Sequence, residues 1–273
     1  MNQTFQTLKP RGGRRLDPSH ASLARGVATS EPGVLSALSL AGGVSLGPRD
    51  GRTLLFGRNR PEVHVCLGEN DLQISRHHGS LTCRRGQWWL ANTGGRPIRL
   101  AGKRLLFRDE DPVPLDTGYT PLFVRGSAGR EHLLEVFVSG PDGGAPGPQH
   151  SRLTNPGEVY LLKPEEKLAL VALGQRYLLH EAQPQPWTWK DTAALLDEIQ
   201  PGTGWRSRRV ENLVTDVRMR LSRAGVQGLT REEVGEPVGN SLNHNLLTEL
   251  LMSATLVPRD LDLLDDPDGR LPD

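Results

Sequence analysis

A chain of 273 residues with a formal net charge of +1 is long enough for two ordinary domains, and it is too nearly neutral for a global field to draw it to nucleic acid or membrane. Its 36% hydrophobic and 24% charged content suits a globular protein, and no run of about 18 apolar residues is present to span a bilayer. The 31 Gly and 21 Pro point to many tight turns plus linkers, while Cys66 and Cys83 lie in apparent strands and read as buried thiols of a reducing cytoplasm.

Met1 to about Glu31 carries Lys9, Arg11, Arg14, Arg15 and Arg25 among Gly, Ser and Pro without apolar periodicity, which predicts a disordered basic tail over residues 1–31. Its charges are not followed by the apolar core of a signal peptide. From Val34 to Val138 short apolar or alternating runs recur, including Val34–Leu40, Thr53–Phe56, Val63–Leu67, Gly79–Cys83, Trp88–Ala91, Ile98–Leu100, Leu122–Val124 and Leu133–Val138. Gly42-Gly43, Arg49-Asp50-Gly51, Arg85-Gly86, Asn92–Gly95 and Ala101-Gly102 separate them as turns. This spacing predicts an all-β sandwich or barrel over residues 32–139. Residues 140–157 are dominated by Gly and Pro and read as a linker.

Beyond the linker the apolar period changes from two to 3.6. Pro164–Leu179 forms one expected helix, and Thr188 caps a second over Trp189–Ile199. The third, Arg206–Ala224, carries a continuous stripe of Val210, Leu213, Val214, Val217 and Leu221 that ends before Gly225. A weaker fourth covers Leu242–Ala254. These predict an all-α domain over residues 158–257, followed by a frayed, Asp-rich acidic tail at 258–273. The fold class expected is therefore α+β multidomain, an N-terminal sandwich followed by a C-terminal helical domain.

Three segments of the β domain carry chemistry. They are Phe56-Gly57-Arg58-Asn59, Ser75-Arg76-His77-His78-Gly79, and Trp88 to Arg96 with its Asn92-Thr93-Gly94-Gly95 turn. In order and spacing they resemble the forkhead-associated (FHA) family, whose signature is Gly-Arg, then Ser-x-x-His, then an Asn-Gly region. The likeness covers about Val34 to Val138. It implies a sandwich whose loops bind phosphothreonine, an ester of about −1.5 to −2 charges with three acceptor oxygens. A planar guanidinium answers two such oxygens with parallel charge-assisted hydrogen bonds. By resemblance Arg58 takes that role, Ser75 donates its hydroxyl, and Arg76 adds a second positive charge. Gly57, His78 and Asn92 are implied as structural support, with His78 pinning the loop.

The sequence departs from the family where an Asn usually bonds the peptide backbone, since Arg96 stands there. Arg96 would donate to a peptide carbonyl, or meet an acidic residue after the phosphothreonine, or mark a site that has lost peptide affinity. Trp88 and Trp89 point to opposite faces of one strand, so at least one is core.

The helical segment, with the Gly- and Pro-bearing stretch Gly225–Gly239 after its third helix, looks in element order like a winged helix-turn-helix. Six arginines lie between Trp205 and Ala224 against two carboxylates, Glu211 and Asp216. Arg206, Arg208, Arg209 and Asn212 are the candidates for nucleic-acid contact. Arg-rich solvated helices are equally common, so DNA binding and protein docking both stay open.

No phosphate loop ending in Gly-Lys-Ser/Thr, no His-Glu-x-x-His, no paired Cys-x-x-Cys and no nucleophile elbow is present. No cofactor, metal or catalytic residue is expected, and the chain reads as a non-enzyme. The expectation is a cytoplasmic phosphothreonine-dependent adaptor in Ser/Thr kinase signalling, its partner a phosphothreonine-containing protein. The alternative is a transcription regulator of the kind in which bacteria join FHA and helix-turn-helix modules, with DNA as partner. Thr4, Thr7 and Thr29 of the tail are candidates for phosphorylation that would fold back onto the sandwich.

Overall fold

The computed structural model describes residues 7–8, 12–28, 30–100, 104–127, 130–141, 159–236 and 238–265. Lys9, Arg11, Thr4, Thr29, the Ala101-Gly102 turn, nearly all of the expected linker and the last residues of the acidic tail fall outside these. The chain divides into two compact units, Met1–Arg152 and Leu153–Asp273.

The first unit is a two-sheet sandwich. Its strands are β1 (Gly13–Leu16), β2 (Leu35–Ser39), β3 (Gly42–Leu46), β4 (Thr53–Gly57), β5 (Val65–Cys66), β6 (Gly79–Arg84), β7 (Gln87–Asn92), β8 (Ile98–Arg99), β9 (Leu105–Leu106), β10 (Val113–Pro114), β11 (Gly118–Arg125) and β12 (Glu131–Val138). One sheet has seven strands in the order β1-β3-β2-β12-β11-β8-β9, the other five in the order β10-β7-β6-β4-β5. Alternation turns Leu81 and Cys83 of β6, Trp88 and Leu90 of β7, and Val44 and Leu46 of β3 into one core with Phe56, Val124 and Val136. Trp88 is fully buried, and its Nε1–H donates to the Gly33 carbonyl at 2.8 Å. Trp89, on the other face, is half-buried. Cys66 and Cys83 are free and buried.

Register brings three loops to one end of the five-stranded sheet. β4 pairs antiparallel with β6 as Phe56↔Gly79, and β6 pairs with β7 as Gly79↔Asn92. The chain therefore leaves β4 at Arg58, enters β6 after Ser75–His78 and leaves β7 at Thr93, all at the same edge. β4 and β5 run parallel, Gly57 opposite Cys66, which holds the connection from Arg58 to Val63 against its own strand.

Two expectations for this unit are corrected. The basic tail assigned to residues 1–31 belongs to the sandwich from Gly13 onward. β1 pairs with β3 over Gly13↔Leu46 to Leu16↔Gly43, and Leu23 opens a 3-10 turn, Leu23–Arg25, and is itself wholly buried with Leu16, Leu38 and Phe137. Ser22 Oγ and, at 3.3 Å, the Leu23 N–H donate to the buried Glu135 carboxylate, which Tyr119 also meets at 3.1 Å. A four-residue strand and a single turn are too short for periodicity to register, and Glu135 lies more than a hundred residues away. Gly42-Gly43, expected as a turn, are the first residues of β3; the turn is Leu40-Ala41.

The second unit contains α1 (Pro164–Leu173), α2 (Gln175–Leu178), α3 (Trp189–Ile199), α4 (Ser207–Arg223), α5 (Arg231–Val234) and α6 (Ser241–Met252). The expected first helix is broken at Gly174, which separates α1 from α2. Thr188 Oγ1 accepts from the Asp191 N–H at 3.1 Å and starts α3. α4 buries Val210, Val214, Val217 and Leu221 in one core with residues of α1, α3 and α6.

The described residues of the expected wing at Gly225–Gly239 form no β-hairpin. Thr230 and Glu233 form a capping box, with Glu233 Oε2 taking the Thr230 N–H at 2.9 Å, and this nucleates the one-turn α5. The acidic tail is folded from Pro258 to Leu264 as a 3-10 segment, where Asp260 pairs with Lys167 of α1 at 2.6 Å. Its acidic residues mask apolar ones, Leu261, Leu263 and Leu264, that pack on the helical core. Among the described residues no helix is long and apolar enough to cross a membrane.

Candidate functional site

Gly57 closes β4 because nothing larger fits. A Cβ there would collide with the Arg76 carbonyl oxygen and the His78 amide nitrogen. This close approach lets the two loops share backbone hydrogen bonds, Arg58 N–H to Ser75 O at 3.1 Å and Asn59 N–H to Arg76 O at 3.2 Å. Arg58 and Ser75 are thereby joined although seventeen positions separate them in the chain. Arg58 is half-buried, and its Nε is buried with no hydrogen-bond partner. Among the described residues no carboxylate is paired with it. Arg60, two positions on, is paired through two donors with both oxygens of Glu69, at 2.9 and 2.6 Å. The contrast is chemical. One guanidinium is bonded internally, and the other is partly desolvated with its positive charge unanswered.

Ser75 Oγ accepts from the Gly95 N–H at 3.0 Å, which leaves its own hydroxyl proton available to a ligand. His78 is fully buried and uses both ring nitrogens. Nδ1 accepts from the Ser75 N–H at 3.1 Å, so the proton sits on Nε2, which donates to the Arg96 carbonyl at 3.0 Å. The His78 carbonyl takes the N–H groups of Thr93 and Gly94 at 3.0 and 2.8 Å. Gly94 lies against the imidazole, where a Cβ would clash with the ring. His78 is thus a pin between loops, with no ring nitrogen left for a ligand.

Burial depresses the His78 pKa to about 4, although the bond to the Arg96 carbonyl pulls it upward. The unfolded imidazole takes up its proton near 6.5, whereas the folded one resists it, so this contribution is full above 6.5 and is lost as pH falls toward 4. Unfolding by urea at a series of pH values should show up to about 3 kcal/mol of stability lost between about pH 7 and 4 through this group. The same slope retained in His78→Asn would contradict the assignment. His64, also depressed by burial, adds loss of the same sign.

Asn92 is buried and spent internally. Its Nδ2 donates to the carbonyls of Arg96 and Leu106 at 2.9 Å each, and its Oδ1 accepts from Gly94 N–H at 2.9 Å. Arg96 is exposed and reaches Gln73 Oε1 at 2.5 Å. Arg76 is exposed in the loop beside Ser75. His77 Nε2 stands 3.2 Å from Glu62, an exposed pair that bridges the same two loops.

The loop carrying Ser75 has an anchor that reasoning from sequence missed. Asp71 is buried and bonded to Ser127 of the β11–β12 turn and to His132 of β12. Burial pushes its carboxyl up, but donors from His132, Ser127 and Gln73 together outweigh burial and hold it below the usual carboxylate range. The only local signal is an Asp two residues before Gln73, able to accept its N–H; the partners 56 and 61 positions away leave no trace in sequence.

In the helical unit the candidate basic residues separate. Arg209 is tied to Glu165 at 3.0 Å and to the Thr203 carbonyl, and it lies over the Trp205 ring at 4.3 Å. Arg208 meets Glu211 at 3.1 Å. Arg220 pairs with the buried Glu166 at 2.8 Å. Arg206 and Asn212 are exposed. Half of the arginines counted in this segment therefore already have carboxylate partners. Among the described residues no group of three or more His, Cys, Asp and Glu is placed to hold a metal ion.

No family model matches the sequence, and no curated protein matches it. The solved structures it is similar to include several FHA domains. The N-terminal FHA domain of S. cerevisiae Rad53p, solved in complex with a phosphothreonine peptide, is 18% identical, with a TM-score of 0.32 over 38% of this chain and 93% of that one. The FHA domain of an Arabidopsis thaliana protein is 21% identical, with a TM-score of 0.32 over 44% of this chain and 98% of the other. An engineered FHA domain with a Myc-pTBD peptide is 21% identical, with a TM-score of 0.33 over 40% and 93%. These matches fall on the N-terminal part of the chain.

Proposed function

We propose that the sandwich unit binds a phosphothreonine-containing segment of another protein, and that the chain is a non-enzymatic adaptor in a Ser/Thr kinase pathway. The observation that carries this reading is Arg58. Its side chain is half-buried and, among the described residues, has no carboxylate beside it, so its fixed positive charge is left for an anion. Its backbone is locked to that of Ser75, whose hydroxyl proton is free to donate. Two rigid strands hold both loops, so little order has to be created when a ligand arrives. A phosphate ester supplies the oxygens for both groups, and Arg76 and Arg96 add positive charge at the rim.

The reading is tested by titrating the full chain with a phosphothreonine peptide library and with its unphosphorylated and phosphoserine twins. Saturable binding of phosphothreonine peptides and little binding of the unphosphorylated set is expected. Equal affinity for both sets would remove phosphate recognition from the function.

A further inference from the structure

The Asp71 side chain is 1% exposed, and its two oxygens serve two different segments. Oδ1 faces its own loop, where it takes the Gln73 N–H at 2.9 Å. Oδ2 takes the Ser127 N–H at 2.8 Å, the Ser127 hydroxyl at 3.1 Å and His132 Nε2 at 2.9 Å. Arg130 Nη2 stands 3.8 Å from the same oxygen. The carboxylate therefore joins the loop before β6 to the β11–β12 hairpin.

The path of the chain from Asp71 to Ser75 depends on that joint. Ile74 N–H bonds the Asp71 carbonyl at 3.0 Å, and Ile74 is fully buried, which fixes the approach to Ser75. Gln73, held through its amide by Asp71, receives Arg96 at 2.5 Å through its side chain. One acid thus governs the seat of a hydroxyl donor and the orientation of a rim guanidinium, while bonding to neither.

We propose that Asp71 is the positioning residue of the phosphate site, setting Ser75 and Arg96 by anchoring their loop to the β11–β12 hairpin. The proposal rests on the phosphate-binding reading above. Asn is the informative substitution because it keeps the shape but has one acceptor oxygen, so it cannot serve both segments.

The full chain carrying Asp71→Asn is compared with the unmodified chain by phosphothreonine-peptide titration and by amide NMR without peptide. The expected result is a roughly tenfold rise in Kd, the scale of weakening one hydrogen bond to a charged ligand. The Ser75 and Gly95 amide resonances, which report the Ser75 bonds to His78 and Gly95, should also shift. A role confined to stability would lower the unfolding midpoint and leave those two amides in place. His132→Ala removes one donor and keeps the rest, and it should move the same amides; it decides the matter alone if Asp71→Asn does not fold. Unchanged Ser75 and Gly95 resonances in the folded variants would overturn the proposal. If the unmodified chain binds no phosphopeptide, the proposed function falls, while the amide shifts still decide the role of Asp71.

Discussion

Replacing Arg58 with alanine should weaken phosphothreonine-peptide binding by on the order of 2–5 kcal/mol, the usual cost of truncating one side of a buried charged pair. Affinity for the unphosphorylated twin should hardly change, so the variant erases the preference and leaves any residual peptide contact. Because the Arg58 Nε has no partner among the described residues, its loss orphans no acceptor there. Unfolding free energy should therefore stay within about 0.5 kcal/mol of the unmodified protein. Isothermal titration and urea unfolding together check both halves. A variant that keeps its phosphopeptide preference would sink the assignment of Arg58. One that loses it only by unfolding would show that the guanidinium supports the fold.

The second large effect concerns a residue outside the three loops of that site. Leu23→Ala should destabilise the sandwich by about 2–5 kcal/mol, since it empties a fully buried position among Leu16, Leu38 and Phe137. The loss should extend beyond packing. The 3-10 turn that begins at Leu23 presents Ser22 and the Leu23 N–H to Glu135, so a loosened turn leaves a buried carboxylate short of donors. Urea unfolding measures the change. A shift under about 0.5 kcal/mol would mean that this segment lies on the sheet without stabilising it.

Much of the sandwich was legible because its strands are long enough to alternate and are flanked by turn residues, as at Thr53–Phe56 and Gly79–Cys83. The α4 stripe was equally clear, since Val210, Val214, Val217 and Leu221 repeat at helical spacing. What escaped is non-local. β1 and the Leu23 turn are too short for any period; pairing with β3 holds the strand, and Glu135, Leu38 and Phe137 hold the turn. Nothing near Asp71 in the sequence marks it as an anchor, because its partners Ser127 and His132 come beside it only in the fold. The charge surplus on α4 was counted within one helix, while Glu165 and Glu166, which answer Arg209 and Arg220, belong to α1. At the proposed phosphate site, residue types and order pointed to Arg58, Ser75 and His78. That the Arg58 Nε is unpartnered and His78 has both nitrogens occupied could be read only from the fold.

Gly13–Leu16 forms the outermost strand beside β3. A fragment trimmed to begin at residue 32 would strip that strand away and leave the β3 backbone donors and acceptors bare along Gly43–Leu46. An open row of this kind invites a neighbouring molecule to add itself to the sheet, whereas β1, the edge of the intact sheet, is only four residues long and carries the exposed Arg14 and Arg15. Preparations shortened in this way should therefore form oligomers as concentration rises, and a sample that begins upstream of Gly13 is the form suited to binding measurements.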